Sequence, residues 1–456
     1  MDFRYVGVQT ARDGRLGDRL VASDWNLFAP RLGIAYSPSN KWSFRTGFGI
    51  FYSQETANSK FDLNRGLSGR ASQVPSVGGR PTVTFNNFFD ASVLPINLPA
   101  GLTWGVAPDI GTPYSMMYLF NVQRQLGSNS TLELGYNGAL HRHLQNQNNG
   151  AGPLPYNYPG LPPGTNVAPA ARSPYPEFPA GIELTEGGGR GSYNGLGVKV
   201  TQRFQSGLTS LISYTWSKAL DDGSAIRGTG ITGAGVGDMY PENPLCRKCE
   251  KGPSAFNTPA RFVTSLLYDL PFGKGKSFLN QGGVLNQLVG GWQTGGIFTA
   301  QSGRPLYLYA GWDAAGQIIQ GNQNRLNATG IDPYLPSDKQ SSNQWLNVAA
   351  FTNLKAGQFG NVGRNILTGP SVWTLDFSAI KNFPITERQR LQLRIESFNT
   401  LNHPALGSPI TSWGGSGAKP APNFGQIQDT VTGGTFFTPG TAYQMRQVQF
   451  ALKYIF

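Results

Sequence analysis

Charged side chains are scarce in this sequence. Only 14% of its 456 residues are Asp, Glu, Lys or Arg, whereas an average soluble protein has about 25%. The formal net charge is +12, but the basic residues are scattered and form no long run. Without a basic patch, the positive charge does not indicate nucleic-acid binding. The polarity comes instead from Asn, Gln, Ser, Thr and Gly, which suits long loops and a water-filled lumen better than a cytosolic surface.

Cysteine and histidine are also rare, which limits metal and redox chemistry. A structural zinc site needs four ligands, and Cys246 and Cys249 have no second cysteine pair to complete one. For this pair we predict a small loop disulfide; free thiols and a metal or redox role are the alternatives. His141 and His143 would point to one side of a strand. We expect these two histidines to lie at a rim or in a loop; the alternative is a metal site completed by a carboxylate. His403 is the remaining histidine.

Long apolar runs are absent. No stretch of about eighteen apolar residues occurs, so the sequence predicts no transmembrane helix. Residues 1–5 do not have the basic and then apolar layout of a signal peptide. A membrane location therefore requires strands, and we expect any export signal to lie outside this chain.

Among the patterns that are present, the most regular is the alternation in residues 446–456. Apolar residues occupy every second position, which predicts a strand with one apolar and one polar face. The segment resembles the C-terminal signature of outer-membrane β-barrels, which is recognised by the machinery that inserts them. We therefore predict an outer-membrane insertion signal at Phe450, Leu452, Tyr454 and Phe456.

Similar alternating segments recur in pairs along the chain. We predict about twelve strands, the first near residues 2–10 and the others at 31–36, 42–52, 118–125, 131–139, 196–204, 208–216, 262–270, 291–300, 373–379, 391–395 and 446–456. Short connections alternate with long segments, which are unusual in compact domains but typical of outer-membrane barrels. The sequence therefore predicts an all-β fold, an antiparallel transmembrane β-barrel with short periplasmic turns and long extracellular loops.

Aromatic and polar residues are placed as such a barrel requires. The aromatic residues near strand ends or on apolar faces are predicted to form interfacial girdles: Trp42, Tyr52, Tyr118, Tyr214, Trp216, Tyr268, Trp292, Trp373 and Tyr454. Polar residues alternate with apolar ones in the strand near residue 393 and are predicted to line the lumen: Arg390, Gln392, Arg394 and Glu396. Outer-membrane lipid is the expected partner of the apolar face.

No motif for catalysis or for a cofactor has the required spacing. Residues 273–277 look like part of a phosphate loop, but Leu270 occupies the position of the required glycine and no helix pattern follows. For Asp221, Asp222 and Asp376, the sequence places no partner at a catalytic distance. We therefore predict neither enzymatic activity nor a bound cofactor.

Several strand and turn motifs, taken in order, resemble one family. They are FAPRLGIAY at 28–36, RTGFGIFY at 45–52, SYTWSKALDD at 213–222, DLPFGKG at 269–275, KNFPITER at 381–388 and ESFNTLNHP at 396–404. This series covers almost the whole chain and is similar to the barrel of Oar-like TonB-dependent transporters. The resemblance implies a 22-stranded barrel, filled by a plug through which TonB is contacted. Residues 1–456 show no counterpart of the plug, the TonB box or the signal peptide, so we predict that they form the C-terminal portion of such a barrel.

The resemblance also implies a function. A transporter of this family binds a ligand too large for porins at its extracellular loops and imports it with energy supplied through TonB. A surface or adhesion barrel without transport and a soluble, secreted, β-rich carbohydrate-binding protein are the alternatives. Aromatic stretches at residues 156–158 and 175–178 suit sugar stacking and loop packing equally, so the ligand and its binding residues stay unassigned.

Overall fold

The protein is described from a computed structural model. The described residues are 21–53, 76–77, 80–81, 103–107, 109–148, 167–173, 182–204, 207–224, 241–243, 245–317, 324–386, 388–430 and 445–456. The strand predicted at residues 2–10 lies outside these ranges, as do the aromatic stretches at 156–158 and 175–178.

Eleven long strands form one antiparallel sheet, and each pairs with its neighbours in sequence. They are β1 (Arg31–Ser39), β2 (Trp42–Tyr52), β3 (Tyr114–Leu126), β4 (Ser130–Asn148), β5 (Ile182–Arg203), β6 (Leu208–Asp221), β7 (Ala260–Asp269), β8 (Trp292–Gln301), β9 (Val372–Pro384), β10 (Arg390–Phe398) and β11 (Gln447–Ile455). Antiparallel neighbours can be joined by turns or loops alone. The predicted all-β, antiparallel architecture is confirmed for the described residues.

The sheet is open in the part of the chain that the structure describes. β1 pairs only with β2, and β11 pairs only with β10. Long connections follow β2, β4, β6, β8 and β10, all at one end of the sheet, which we call the loop end. The opposite end, where β1 turns into β2, is the turn end.

Short elements lie within the connections. Thr103–Val106 pairs in parallel with the start of β5, and Gly252–Pro253 pairs with the end of β6. Two-residue strands join Pro305–Leu306 to Leu367–Thr368, Asn327–Ala328 to Phe351–Thr352, and Ser76–Val77 to Arg80–Pro81. The helical segments are Pro169–Arg172, Val284–Val289, and the 3-10 turns Arg247–Glu250 and Val348–Ala350. None of the described helices is long and apolar enough to cross a membrane.

Two strands extend further into the loop end than the sequence pattern indicates. β4 continues to Asn148, and β5 begins at Ile182 rather than near residue 196. The added part of β5 is rich in glycine, which looks like a loop in the sequence. Here glycine permits close packing, because a Cβ on Gly187 would lie 1.6 Å from the carbonyl oxygen of Ile110. The glycines therefore mark a close backbone approach and not an irregular connection.

The connection between β7 and β8 is longer than a tight turn, so short and long connections alternate less strictly than predicted. It runs from residue 270 to 291 and contains the helix Val284–Val289. Gly273 and Gly275 have φ angles of 102° and 78°, a backbone conformation that glycine adopts without strain. The glycine-lysine motif therefore forms a turn.

The register separates apolar and polar side chains onto opposite faces. Residues paired across antiparallel strands point to the same side. One face, which we call the apolar face, runs across all long strands through Ile34, Phe48, Phe120, Leu134, Leu196, Tyr214, Leu266, Phe298, Phe377, Ile395 and Phe450. All the aromatic residues predicted for the girdles lie on this face. Many of its large apolar side chains are not covered by protein; Trp216, for example, is 61% exposed and Phe450 is 72% exposed.

The opposite face is polar, with a few apolar exceptions. It carries Asn121, Glu133, Lys199, Thr215, Arg261, Gln301, Asp376, Arg394 and Gln449. The residues predicted to line the lumen, at 390–396, lie on it. Leu119, Leu267 and Ile297 are exposed apolar residues on this polar face.

The buried hydrophobic core lies in the loop end and not in the sheet. It consists of side chains from the β8–β9 and β10–β11 connections: Leu306, Leu308, Ala310, Ala314, Leu326, Leu346, Ala350, Phe351, Leu354, Val362, Leu367, Trp413 and Phe424. Backbone hydrogen bonds join the two connections, for example from Trp413 N to Tyr309 O (2.8 Å) and from Trp345 N to Gly425 O (2.8 Å). We call the described residues within 305–370 and 405–430 the cap.

Candidate functional site

Three connections meet where the cap contacts the sheet. They follow β6, β8 and β10, and the first two bring together carboxylates and arginines that lie far apart in the sequence. Ionised side chains are seldom buried unless they are paired. The buried charges at this junction are therefore expected to be paired.

Arg325 of the cap is held between two buried glutamates. Its guanidinium nitrogens lie 2.8 Å from Glu242 Oε2 and 2.7 Å from Glu250 Oε2. Glu242 Oε1 also accepts hydrogen bonds from the backbone N–H groups of Arg325 (2.9 Å) and Gly360 (2.7 Å). These contacts tie the β6–β7 connection to the cap, because loss of Arg325 would leave two carboxylates buried without a cation.

The environment of Glu242 shifts its ionisation towards neutral pH. Burial raises the pKa of its carboxyl to about 7, and the charge of Arg325 and the N–H of Gly360 oppose that rise. Glu250, which is also negatively charged, adds to it. One guanidinium is thus shared by two carboxylates, and a proton on Glu242 lowers the excess negative charge.

Arg364 forms a second attachment between the cap and the sheet. Its Nη2 lies 2.7 Å from Asp221 Oδ1 at the end of β6, and the same nitrogen donates to Ser224 Oγ at 2.7 Å. Its Nη1 donates to the backbone carbonyl oxygens of Asp221 (3.0 Å) and Glu250 (3.2 Å). Asp221 is therefore an ion-pair partner that attaches the end of β6 to the cap.

The 3-10 turn Arg247–Glu250 connects the cap with β5. Cys246 and Cys249 are joined by a disulfide in the structure, with an S–S distance of 2.01 Å. Arg247, between them, contacts Glu186 of β5 in a close ion pair and lies 3.8 Å from Asp222 Oδ2. Glu250, after them, faces Arg325. The turn thus presents one charged residue to the sheet and another to the cap.

Asp222 lies in the same junction. Burial raises the pKa of its carboxyl, while the N–H of Arg190, which donates to Asp222 Oδ1 at 2.8 Å, and the charge of Arg247 oppose the rise.

A cleft opens beside this junction, on the polar face. Its volume is about 530 Å³, which lies within the range of roughly 300–1,000 Å³ found for small-molecule sites. Thr215, Arg261 and Gln301 stand side by side on β6, β7 and β8, since Arg261 is paired with both of the others. Arg304 of the β8–β9 connection and Phe256 of the β6–β7 connection belong to the remaining wall.

The predicted histidine arrangement is not formed by the described residues. A register irregularity follows His141, and His143 has a φ of 52°, so the strict alternation is broken there. His141 Nδ1 lies 2.7 Å from Ser115 Oγ, whereas His143 packs edge-on against Tyr114. No group of three or more His, Cys, Asp or Glu that is suited to a metal occurs among the described residues.

The other sequence candidates have structural partners. His403 stacks on Trp373 with ring centroids 3.8 Å apart, and Asp376 accepts a hydrogen bond from Asn399 N at 2.8 Å. The insertion-signal residues Phe450, Leu452 and Tyr454 lie on the apolar face of β11. Sequence reasoning missed Glu242, Glu250, Arg325 and Arg364, because their partners are remote; the scarcity of charge was the only signal that pointed to the few charged residues in the loops.

Comparison with known protein families identifies one family. A family model described as outer membrane beta barrel domain matches residues 2–449. No curated protein matches the sequence.

The chain aligns with several solved structures at low identity. They include the outer membrane transporter YddB from Escherichia coli (12% identity, 80% of this chain and 35% of that chain, TM-score 0.41), the pyoverdine outer membrane receptor FpvA from Pseudomonas aeruginosa PAO1 bound to pyoverdine (10%, 94% and 36%, 0.40), and the ferric-catecholate import receptor Fiu from K12 E. coli (10%, 93% and 34%, 0.37). The chain spans about a third of the length of these proteins.

Proposed function

Because the chain belongs to the outer membrane beta barrel domain family and is therefore located in the outer membrane, we propose that it is the C-terminal portion of the barrel of an Oar-like TonB-dependent transporter. Further strands complete the barrel to the 22 of that class, and a plug inside it contacts TonB. The loop end faces the outside of the cell and binds a large ligand. The ligand then passes through the barrel with energy supplied through TonB.

The observation that carries this proposal is the division of the sheet into two faces. Hydrocarbon offers no hydrogen-bond partners, so a chain crosses it as a helix or as paired strands. The apolar face contacts lipid, and the polar face borders an aqueous interior. Leu119, Leu267 and Ile297, three of the exposed apolar residues of the polar face, suit contact with a plug.

The remaining predictions concern assembly. We propose that Phe450, Leu452, Tyr454 and Phe456 are recognised by the barrel-insertion machinery, since the first three form a continuous exposed apolar row on β11.

We also propose that Cys246 and Cys249 are oxidised in the mature protein. A count of free thiols in the denatured, unreduced protein checks this, with none expected.

Surface labelling tests the orientation. Lys355→Cys in the cap and Lys274→Cys at the turn end are made separately in a Cys246→Ser/Cys249→Ser background; both lysines are exposed. Whole cells that produce the protein are treated with a membrane-impermeant maleimide. We expect labelling at position 355 in intact cells and at position 274 only after lysis. Equal labelling of both positions in intact cells would contradict the proposed topology.

Cross-linking separates transport from the alternatives. The full product of the gene is cross-linked in cells with formaldehyde, and TonB is sought in the purified adduct. We expect a TonB adduct. Surface labelling without any adduct would indicate a surface or adhesion barrel without transport, and recovery of the protein in the soluble fraction would favour the secreted carbohydrate-binding alternative.

A further inference from the structure

The β7–β8 connection at the turn end exposes large apolar side chains outside the strands. The helix Val284–Val289 carries three of them on one side, at the spacing that places side chains together on a helix. We call the exposed apolar residues of this connection the turn-end patch: Phe272, Phe278, Leu279, Val284, Leu285 and Leu288. Exposed apolar patches mark contacts with a protein or a membrane. The patch therefore needs a partner that covers it.

Hydrogen bonds give the connection a fixed shape. The side-chain oxygen of Asn286 accepts from the backbone N–H of Lys274 at 2.7 Å, and that of Asn280 accepts from the N–H of Gly275 at 2.7 Å. A Cβ on Gly273 would lie 2.6 Å from the Cα of Gly290, so the turn packs closely against the end of the helix. The rings of Phe272 and Phe278 pack together on this turn, with centroids 5.9 Å apart. The turn and the helix thus present their exposed side chains as one unit.

The turn-end patch continues the apolar face of the sheet. Trp292 on that face donates its indole N–H to the carbonyl oxygen of Leu288 at 3.0 Å. Lys381 is paired with Trp292 and lies on the same face, yet it is only 2% exposed. Its amino group donates to the carbonyl oxygen of Gly290, just after the helix. The end of the helix therefore lies on the side of the apolar face and not under the polar face.

The charge of the connection is positive. Residues 270–291 contain Lys274 and Lys276 and no acidic residue, and both lysines are exposed. Asp269, at the end of β7, accepts a hydrogen bond from the side-chain amide of Gln293 at 2.7 Å. A lysine ammonium is a compact charge that binds phosphate. Apolar side chains beside lysines are the combination that binds the surface of a membrane with anionic lipids.

We propose that the turn-end patch docks on the periplasmic leaflet of the outer membrane and binds anionic phospholipid there. Its apolar side chains enter the boundary between headgroups and acyl chains, and Lys274 and Lys276 contact the phosphates. Charge complementarity and continuity with the apolar face favour a lipid surface over a periplasmic protein as the occupant. This inference rests on the proposed function, which places the turn end in the periplasm.

Photocross-linking in cells identifies the partner of the patch. The full product of the gene is made with benzoylphenylalanine in place of Phe278 or Leu288, and the adducts formed on irradiation are identified by mass spectrometry. We expect phospholipid adducts at both positions. The matched control has the probe in place of Ile331, an exposed apolar residue of the cap, and should give no phospholipid adduct. Adducts with protein alone, or no adduct, at positions 278 and 288 overturn the proposal.

The same probe in place of Leu266 separates this inference from the proposed function. Leu266 lies on the apolar face within β7. Lipid adducts at position 266 without phospholipid adducts at positions 278 and 288 overturn the docking of the patch alone. Absence of lipid adducts at position 266 contradicts the proposed lipid contact of the apolar face.

Substitution of the lysines tests the preference for anionic lipid. The full product with the probe at position 278 is placed in nanodiscs that contain equal amounts of phosphatidylglycerol and phosphatidylcholine. Because each lysine near an anionic surface favours it by roughly fivefold, we expect phosphatidylglycerol adducts to exceed phosphatidylcholine adducts by at least about fivefold.

Lys274→Gln combined with Lys276→Gln is expected to remove this excess. Lys339→Gln combined with Lys355→Gln is the matched control, because it removes the same charge from exposed positions of the cap and should leave the ratio of adducts unchanged. An excess that persists in the first double variant overturns the assignment of the two lysines to the phosphates.

Discussion

Arginine side chains hold the loop end together at the scale of single residues. Arg172 donates to Gly316 O at 2.6 Å, Arg247 pairs with Glu186, Arg325 is shared by two glutamates, and Arg364 pairs with Asp221. Each arginine joins segments that are distant in the sequence. The planar guanidinium suits this role because its five N–H donors can satisfy several acceptors at once.

Removing Arg325 is predicted to detach part of the cap. In Arg325→Ala, Glu242 and Glu250 face each other without a cation, and breaking a buried pair in this way costs about 3–5 kcal/mol. Amide hydrogen exchange in residues 324–370 is expected to accelerate strongly. The exposed Lys355→Ala in the same region is the control and should change exchange by less than tenfold. Similar exchange in both variants would mean that the cluster does not anchor the cap.

Ionisation of Glu242 predicts that the attachment of the cap through Arg325 depends on pH. Its pKa rises from 4.5 in the unfolded chain to about 7 in the folded protein, so the folded state binds more protons between these values. Stability of the cap therefore falls as the pH rises from about 4.5 to about 7 and then levels off. Hydrogen exchange of the Gly360 amide between pH 5 and 8, corrected for the intrinsic exchange rate at each pH, measures the stability of the cap. Glu242→Gln should flatten the profile, and a stability that rises with pH would refute the assignment.

At the scale of single elements, each strand has two different environments. Its alternate residues lie on the apolar or the polar face, which in the proposed barrel contact lipid and the interior, so neither face needs the interlocking core of a soluble sheet. The hydrophobic core appears instead in the cap, where two long connections bury apolar side chains against each other. This division explains why strands with exposed leucine and phenylalanine coexist with loops that contain buried ones.

A matched pair of substitutions on β7 tests the assignment of the faces. Leu266 lies on the apolar face and Ser265 on the polar face, one residue apart. Leu266→Arg is expected to cost about 2–4 kcal/mol in the membrane, and Ser265→Arg much less. The assembled fraction in outer membranes, read as the heat-modifiable band after electrophoresis, reports the difference. Equal assembly of the two variants would mean that the faces are assigned wrongly.

At the scale of the whole molecule, the two open edges of the sheet determine what else the protein needs. Unpaired N–H and C=O groups of β1 and β11 are costly in hydrocarbon, so a sheet in the membrane closes upon itself or upon further strands. The register and twist of a barrel fix how many strands close it. The proposed 22-stranded barrel thus requires strands in addition to the eleven described here.

The size of the native protein tests this requirement. An antibody raised against the cap is used to probe outer-membrane fractions of cells that carry the intact gene. We expect a heat-modifiable polypeptide clearly larger than the 49.2 kDa of this chain. A heat-modifiable band at that mass would show that the present strands close by themselves or with a second copy, and it would refute the assignment as a C-terminal portion.

Local patterns in the sequence determined the strands, their order and their two faces. A strand has a period of two residues, so Val448, Phe450 and Leu452 reveal the apolar face of β11 without any tertiary information. Short and long connections then gave the antiparallel order and the outer-membrane class, which family membership supports. At Gly187 and its neighbours local composition was misleading, because glycine marks both loops and close backbone contacts.

Tertiary structure alone decided the cap, the charge cluster and the cleft. Glu242 and Arg325 lie 83 residues apart, and other partners of the junction lie further apart in the sequence. No periodicity links residues that meet through irregular connections. The same holds for Arg261 and Arg304, which share a cleft because strand pairing and cap packing bring them together. Alternation along a strand is a property of the backbone, whereas the pairing of loops depends on which distant surfaces fit, and that information is spread over the whole chain.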